Sequence, residues 1–117
     1  MIRKVVFALA LVLVFGVSAL RADARSDAKA QVEFGVTVAQ RGLWQEAIYR
    51  WRRAIEMDPS YAPAWNNLGI AFEHEGRFDE AREAYETALD LDPDNLFIEQ
   101  NYDLFMEVND RASQDFR

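Results

Sequence analysis

The sequence contains no cysteine, one histidine, five glycines and three prolines, and these scarcities exclude several kinds of chemistry. Without cysteine there is no disulfide, no thiolate nucleophile and no sulfur ligand for a metal, so stability has to come from packing. A single histidine also puts the metalloprotease pattern out of reach. In the string His74-Glu75-Gly76-Arg77-Phe78 the second histidine would have to stand at Phe78, on the same helical face. The few glycines do not gather into a phosphate-binding loop. Positive charge is short as well, 13 lysines and arginines against 20 aspartates and glutamates, a net charge of −7. A surface of that sign repels phosphate backbones and anionic lipid. The expectation is therefore a non-enzyme, with no catalytic residue, cofactor, metal, small-molecule substrate or nucleic-acid partner.

Long apolar runs are absent except at the amino terminus. Arg3 and Lys4 precede an uninterrupted apolar stretch, Val5 to Val17. That stretch suits the apolar region of a secretory signal, typically 7–15 residues, better than a membrane-spanning helix of about 20. Small residues at Ala22 and Ala24 form a cleavage motif before Arg25, and Val17-Ser18-Ala19 forms a second one before Leu20. The expected organisation is a signal peptide over 1–24 and a mature domain over 25–117, periplasmic or secreted. The alternative is a retained amino-terminal membrane anchor. Removing 1–24 leaves ten basic against nineteen acidic residues.

Displaced by 34 positions, the sequence overlays itself with eight identities: Ala30 on Ala64, Gly35 on Gly69, Gly42 on Gly76, Glu46 on Glu80, Ala47 on Ala81, Ala54 on Ala88, Asp58 on Asp92 and Pro59 on Pro93. Ordinary residue frequencies would give roughly two. Pairs such as Trp51 with Tyr85 and Phe34 with Leu68 also keep their physical class. Each copy has two helix-compatible stretches parted by a glycine and closed by Asp-Pro, residues that end helices, so each predicts a helix-turn-helix. Apolar residues recur at helical spacing within both.

In the second copy Trp65-x2-Leu68-Gly69-x2-Phe72, followed by Ala81, Tyr85, Ala88 and Pro93, resembles the tetratricopeptide repeat signature at all its positions, phenylalanine and tyrosine exchanging places. The first copy matches at Phe34, Gly35, Val38, Ala47, Trp51, Ala54 and Pro59, with Gln31 where the signature has tryptophan. The resemblance implies an all-α fold, an α-solenoid of two hairpins (28–61 and 62–95) and a carboxy-terminal capping helix (96–110). Trp44, Trp51, Trp65, Phe72, Phe78 and Tyr85 fall at the family's packing positions and are expected in the core. The Arg50, Arg52, Arg53 cluster is expected to be a solvated face paired with nearby acids.

The resemblance also implies a protein-binding scaffold or adaptor whose partner lies in the groove lined by the first helix of each hairpin. The groove positions transfer to Lys29, Val32, Val36, Ala39 and Gln40, and to Asn66, Ile70, Glu73 and His74. Apart from Lys29, the basic residues with which some relatives clamp a terminal carboxylate are missing. A second surface is expected on the capping helix, whose apolar arc is about twice as wide as covering one neighbour requires. With Phe97, Leu104 and Val108 turned inward, Ile98, Tyr102 and Met106 would face outward, either to a partner or to a second copy in a weak homo-oligomer and structural building block.

Overall fold

The computed structural model describes residues 2–115, with side chains from Gly16 onward. Five helices follow one another: α1 (Ile2–Gln40), α2 (Trp44–Met57), α3 (Ala62–His74), α4 (Phe78–Leu91) and α5 (Leu96–Asp115). No strand occurs among the described residues. The segment expected as a signal and the first helix of the first repeat are one unbroken helix of 39 residues. Among the described residues no helix is long and apolar enough to cross a membrane.

The punctuation works as its chemistry predicts. Gly42 and Gly76 take positive φ, 78° and 73°, the left-handed conformation that closes α1 and α3. Around each, two reversed hydrogen bonds satisfy the last carbonyls of the helix. Leu43 N–H reaches Val38 O at 3.0 Å and Gly42 N–H reaches Ala39 O at 2.9 Å, and the pairs Arg77–Phe72 and Gly76–Glu73 repeat this 34 residues on. At the far end of each hairpin Asp58 and Asp92 cap α2 and α4. Asn95 caps α5, its Oδ1 accepting from the amides of Phe97 and Ile98 at 3.1 and 3.3 Å.

The helices pack as α1 on α2 and α3 on α4, the two hairpins meeting mainly through α2 and α3. Alanines and glycines bring them close. Ala47, Ala54, Ala64, Ala71, Ala81 and Ala88 are fully buried, and Trp51 and Tyr85 enter the space they leave. Trp51 Nε1–H donates to the Val32 carbonyl at 3.1 Å. Trp65 Nε1–H donates to the Pro59 carbonyl at 2.9 Å, tying α3 to the loop before it. The residue 34 positions before Pro59 is Arg25, which lies inside α1, so the first copy has no loop to tie and Gln31 stands where Trp65 does. Phe78 is not in the core as expected but is half-exposed at the start of α4.

On α5 the expected orientation is reversed. Ile98 and Phe105 are each 2% exposed, while Tyr102 and Met106 are half-buried against the repeats. Phe97, Leu104 and Val108 are 63%, 61% and 62% exposed. The 34-residue register explains this. Ile98, Tyr102 and Phe105 stand where Ala64, Leu68 and Ala71 stand in α3, all three buried. Phe105 lies 5.5 Å and Tyr102 6.2 Å from the Tyr85 ring, centroid to centroid. The helix also runs beyond Asp110, through the segment expected as a tail. An Arg111–Glu107 ion pair and a 2.9 Å hydrogen bond from Ser113 Oγ to the Asn109 carbonyl hold its last turns.

Candidate functional site

Between α1 and α3 an open groove of about 340 Å³ is lined by Val36, Ala39 and Gln40 of α1, by Asn67 and Ile70 of α3, and by Trp44 and Trp51 of α2 at its floor. The walls are aliphatic and aromatic, and the Gln40 and Asn67 amides are the polar groups among them. At one end the Trp44 and His74 rings lie 4.1 Å apart at 41°. Such a surface offers apolar contact and a few neutral hydrogen bonds, the ordinary composition of a peptide-binding site.

Of the residues expected in the groove, Val36, Ala39, Gln40 and Ile70 meet there. Lys29 and His74 are exposed and do not line it, although His74 lies against the Trp44 ring. Val32 and Asn66 are corrections to the expectation: both are buried, Asn66 to 2% exposure. Val32 belongs to the core, and Asn66 Oδ1 accepts from Asn101 Nδ2 at 3.2 Å, joining α3 to α5. Glu73 is occupied too, accepting the Tyr85 hydroxyl proton at 2.5 Å. Burial and this carboxylate both push the Tyr85 phenol well above its ordinary value. Burial and the Glu86 carboxylate, 3.0 Å away, raise Tyr102 in the same way.

Sequence reasoning missed Trp44, Trp51 and Asn67 as groove residues. A signal for Asn67 existed, because Asn67, Ile70 and His74 share a helical face at i, i+3 and i+7, as do Glu33, Val36 and Gln40 one repeat earlier. The same spacing selects Asn101, Leu104 and Val108 on α5. These occupy repeat positions equivalent to the groove-lining ones, so the apolar exposed face of α5 continues the same side of the array.

A second, polar cleft of about 630 Å³ lies beside Arg21, Arg25 and the α2–α3 loop. The Arg25 guanidinium donates to Asp58 Oδ2 and, at 3.1 Å, to Ser60 Oγ, and lies 5.0 Å from the Tyr61 ring centroid. Burial alone would raise the Asp58 carboxyl, but hydrogen bonds from Arg25 and from the hydroxyl and amide of Ser60 outweigh it and hold the group below its ordinary value. Its donors and acceptors already satisfy one another, which makes it a structural clamp between α1 and the loop. The arginine cluster of α2 is likewise engaged. Arg50 and Arg53 pair with Glu46 and Glu56, and Arg50 sits 4.3 Å from the Phe34 ring centroid. No group of three or more metal-ligating side chains occurs among the described residues.

The paired helices, the left-handed glycine turns and the groove define a superhelical repeat protein of the kind that binds protein segments. The sequence matches the tetratricopeptide repeat family over residues 32–95, and the chain belongs to that family. Type IV pilus assembly protein PilF of Pseudomonas aeruginosa is 32% identical over 88 residues, covering 75% of this chain and 35% of PilF. The solved Pseudomonas aeruginosa PilF structure superposes with a TM-score of 0.70 at 33% identity, over 80% of this chain and 40% of that one. The crystal structure of MamA superposes at 0.66 with 30% identity, covering 71% and 48% of the two chains. The second such domain of human RPAP3, solved in complex with the HSP70 peptide SGPTIEEVD, gives 0.64 at 25% identity, covering 68% and 67%. The chain spans less than two thirds of the curated relatives it matches, 59% of the Methanocaldococcus jannaschii protein MJ0572 and 8% of human Protein O-mannosyl-transferase TMTC1.

Proposed function

We propose that this chain is an exported, non-enzymatic scaffold that holds a segment of another protein in the groove between α1 and α3. The observation that carries the reading is the groove itself: an open apolar channel whose polar groups are neutral amides, on the side of the array where the family binds its partners. Export is supported by the two basic residues, the short apolar run and the Ala22-x-Ala24 motif. It is supported also by where the core begins. Among the residues whose side chains are described, Ala28 is the first that is fully buried, so a cut before Arg25 removes none of those buried side chains and keeps the Arg25–Asp58 clamp.

The binding reading is tested by cross-linking and affinity capture from the envelope fraction, with the parent and an Ile70→Asp variant side by side. A protein captured by the parent and lost with the variant is the expected result. Equal capture by both would show that the groove is not the binding surface. The localisation is tested by amino-terminal sequencing of the protein recovered from that fraction. A start at Arg25 is expected, and a membrane-embedded chain starting at Met1 would replace export by anchoring.

A further inference from the structure

Of the helices α1, α3 and α5, two rest on the second helix of the hairpin before them, α3 on α2 and α5 on α4. The residues that face this way recur at the 34-residue spacing. Ala64, Leu68 and Ala71 are buried on α3, and Ile98, Tyr102 and Phe105 turn inward on α5. Their equivalents on α1 are Ala30, Phe34 and Thr37, and all three are exposed, Phe34 to 47% where Leu68 is 3%. The composition has not changed to suit water, for small, large and small side chains follow one another as they do on α3. The Thr37 hydroxyl donates to the Glu33 carbonyl of its own helix at 3.2 Å, so it needs no further acceptor. The Arg50 guanidinium lies 4.3 Å from the Phe34 ring centroid and covers one flank of it only. The same face ends in a charge on either side. Asp27, Ala30, Phe34, Thr37 and Arg41 follow at steps of three, four, three and four residues, a single seam of about 21 Å along the helix. Asp27 stands seven residues before Phe34 and Arg41 seven after, and among the described residues neither has an ion pair.

We propose that this seam pairs with the same seam of a second copy of the chain, antiparallel, about a two-fold axis at Phe34. Phe34 then meets Phe34 of the other copy, Ala30 lies against Thr37, and Asp27 lies against Arg41 at both ends, the reciprocity that an isologous interface requires. A parallel pairing would set Asp27 on Asp27 and Arg41 on Arg41, so charge selects the antiparallel one. Small residues on both sides of the axis let the two helices approach, as Ala64 and Ala71 do within the chain. The groove residues Val36 and Ala39 are turned from Phe34 by about 200° and 140° around the helix, so the pairing leaves both grooves open. Two open grooves in one assembly hold a partner that offers two segments more tightly than either groove alone.

The test takes the chain in the form recovered from the envelope fraction and measures its mass by sedimentation equilibrium from roughly 5 to 500 μM. A seam of this length buries little surface, so the expected product is a dimer with a dissociation constant on the order of 10–100 μM. Asp27→Lys and Arg41→Glu should each weaken it at least about tenfold, because like charges then meet at both ends. The two substitutions together exchange the signs and should restore the dimer to within about threefold of the parent. Phe34→Glu should leave only monomer, while the melting temperature of the dilute protein stays close to that of the parent; if this variant unfolds, the charge exchange alone decides. Ile70→Asp in the groove should leave the mass unchanged. A parent that stays monomeric throughout, a double exchange no tighter than the single ones, or a dimer that survives Phe34→Glu in the folded chain would overturn the proposal. Loss of the dimer with Ile70→Asp would also overturn it, and would put the second copy in the groove. Growth beyond a dimer would overturn it too, since a two-fold interface closes on itself.

Discussion

At the scale of single residues the fold depends on two glycine–aromatic contacts. A Cβ built on Gly35 would lie 2.3 Å from Trp51 Nε1, and one on Gly69 would lie 2.8 Å from two Tyr85 ring carbons. Alanine is the better helix former by about 1 kcal/mol, so propensity alone predicts that Gly69→Ala stabilises. Overpacking costs typically about 1–3 kcal/mol, and the Tyr85 ring is held by its hydroxyl on Glu73 and by Phe105 behind it. Steric conflict therefore wins. Gly69→Ala should lower stability by about 1–2 kcal/mol in urea denaturation, and a gain would show that the ring can retreat.

The Tyr85 hydroxyl makes a second prediction. Its phenol ionises near pH 10 in the unfolded chain and higher in the fold, so its contribution is whole below about pH 10 and is lost as pH rises. Tyr102 is shifted in the same direction and adds a smaller part of the same sign. Melting temperatures measured from pH 8 to 11 should fall above pH 10 in the parent and fall less steeply in Tyr85→Phe, which keeps the ring and removes the proton. Identical slopes would mean that neither burial nor the Glu73 carboxylate shifts the phenol in the fold.

At the scale of elements, the hairpins were legible because both helix boundaries and helix faces repeat at 34 residues, and each copy checks the other. The glycine turns, the Asp-Pro ends and the aromatic insertions could be read in that way. The helix faces of α5 were not, because a helical wheel fixes which residues share a side and leaves open which side turns inward. The register resolves it: Tyr102 falls on Leu68 and Leu104 on Ile70. The groove residue on α3 is Asn67 and not Asn66, which is buried and whose amide oxygen is taken by Asn101 of α5. Trp44 was read as packing because it falls at one of the family's packing positions, but it is only half-buried and shares the groove floor with Trp51.

Neighbouring residues on α5 therefore separate structure from surface. Phe105 is 2% exposed and fills the space beside Tyr85, so Phe105→Ala should cost about 3–5 kcal/mol. Leu104 is 61% exposed, and Leu104→Ala should change stability by no more than about 0.5 kcal/mol. Thermal or urea unfolding of the two variants measures the difference. Equal losses would mean that α5 sits on the repeats in another rotation, and the row Phe97, Leu104 and Val108 would then be part of the core.

For the molecule as a whole, charge is distributed very unevenly along the array. From Arg25 to Met57 six basic residues face four acidic ones, whereas from Phe78 to Asp115 two face twelve. The ion pairs Arg50–Glu46, Arg53–Glu56, Arg77–Glu80 and Arg111–Glu107 are exposed and local, spaced three or four residues apart. Pairs of that kind contribute little to stability and weaken with salt. Against them stands the mutual repulsion of the carboxylates of α4 and α5, which acts over the roughly 10 Å that dilute buffer leaves unscreened. Unfolding relieves that repulsion, so screening it favours the folded chain. Because repelling pairs outnumber attracting ones, raising NaCl from roughly 10 to 300 mM should raise the melting temperature by a few degrees, about 4–8 °C for each kcal/mol gained. Glu83→Lys on the exposed side of α4 should reproduce part of that gain at low salt and reduce what added salt contributes. A melting temperature that falls with salt would mean that the local ion pairs and the Arg25–Asp58 clamp outweigh the repulsion.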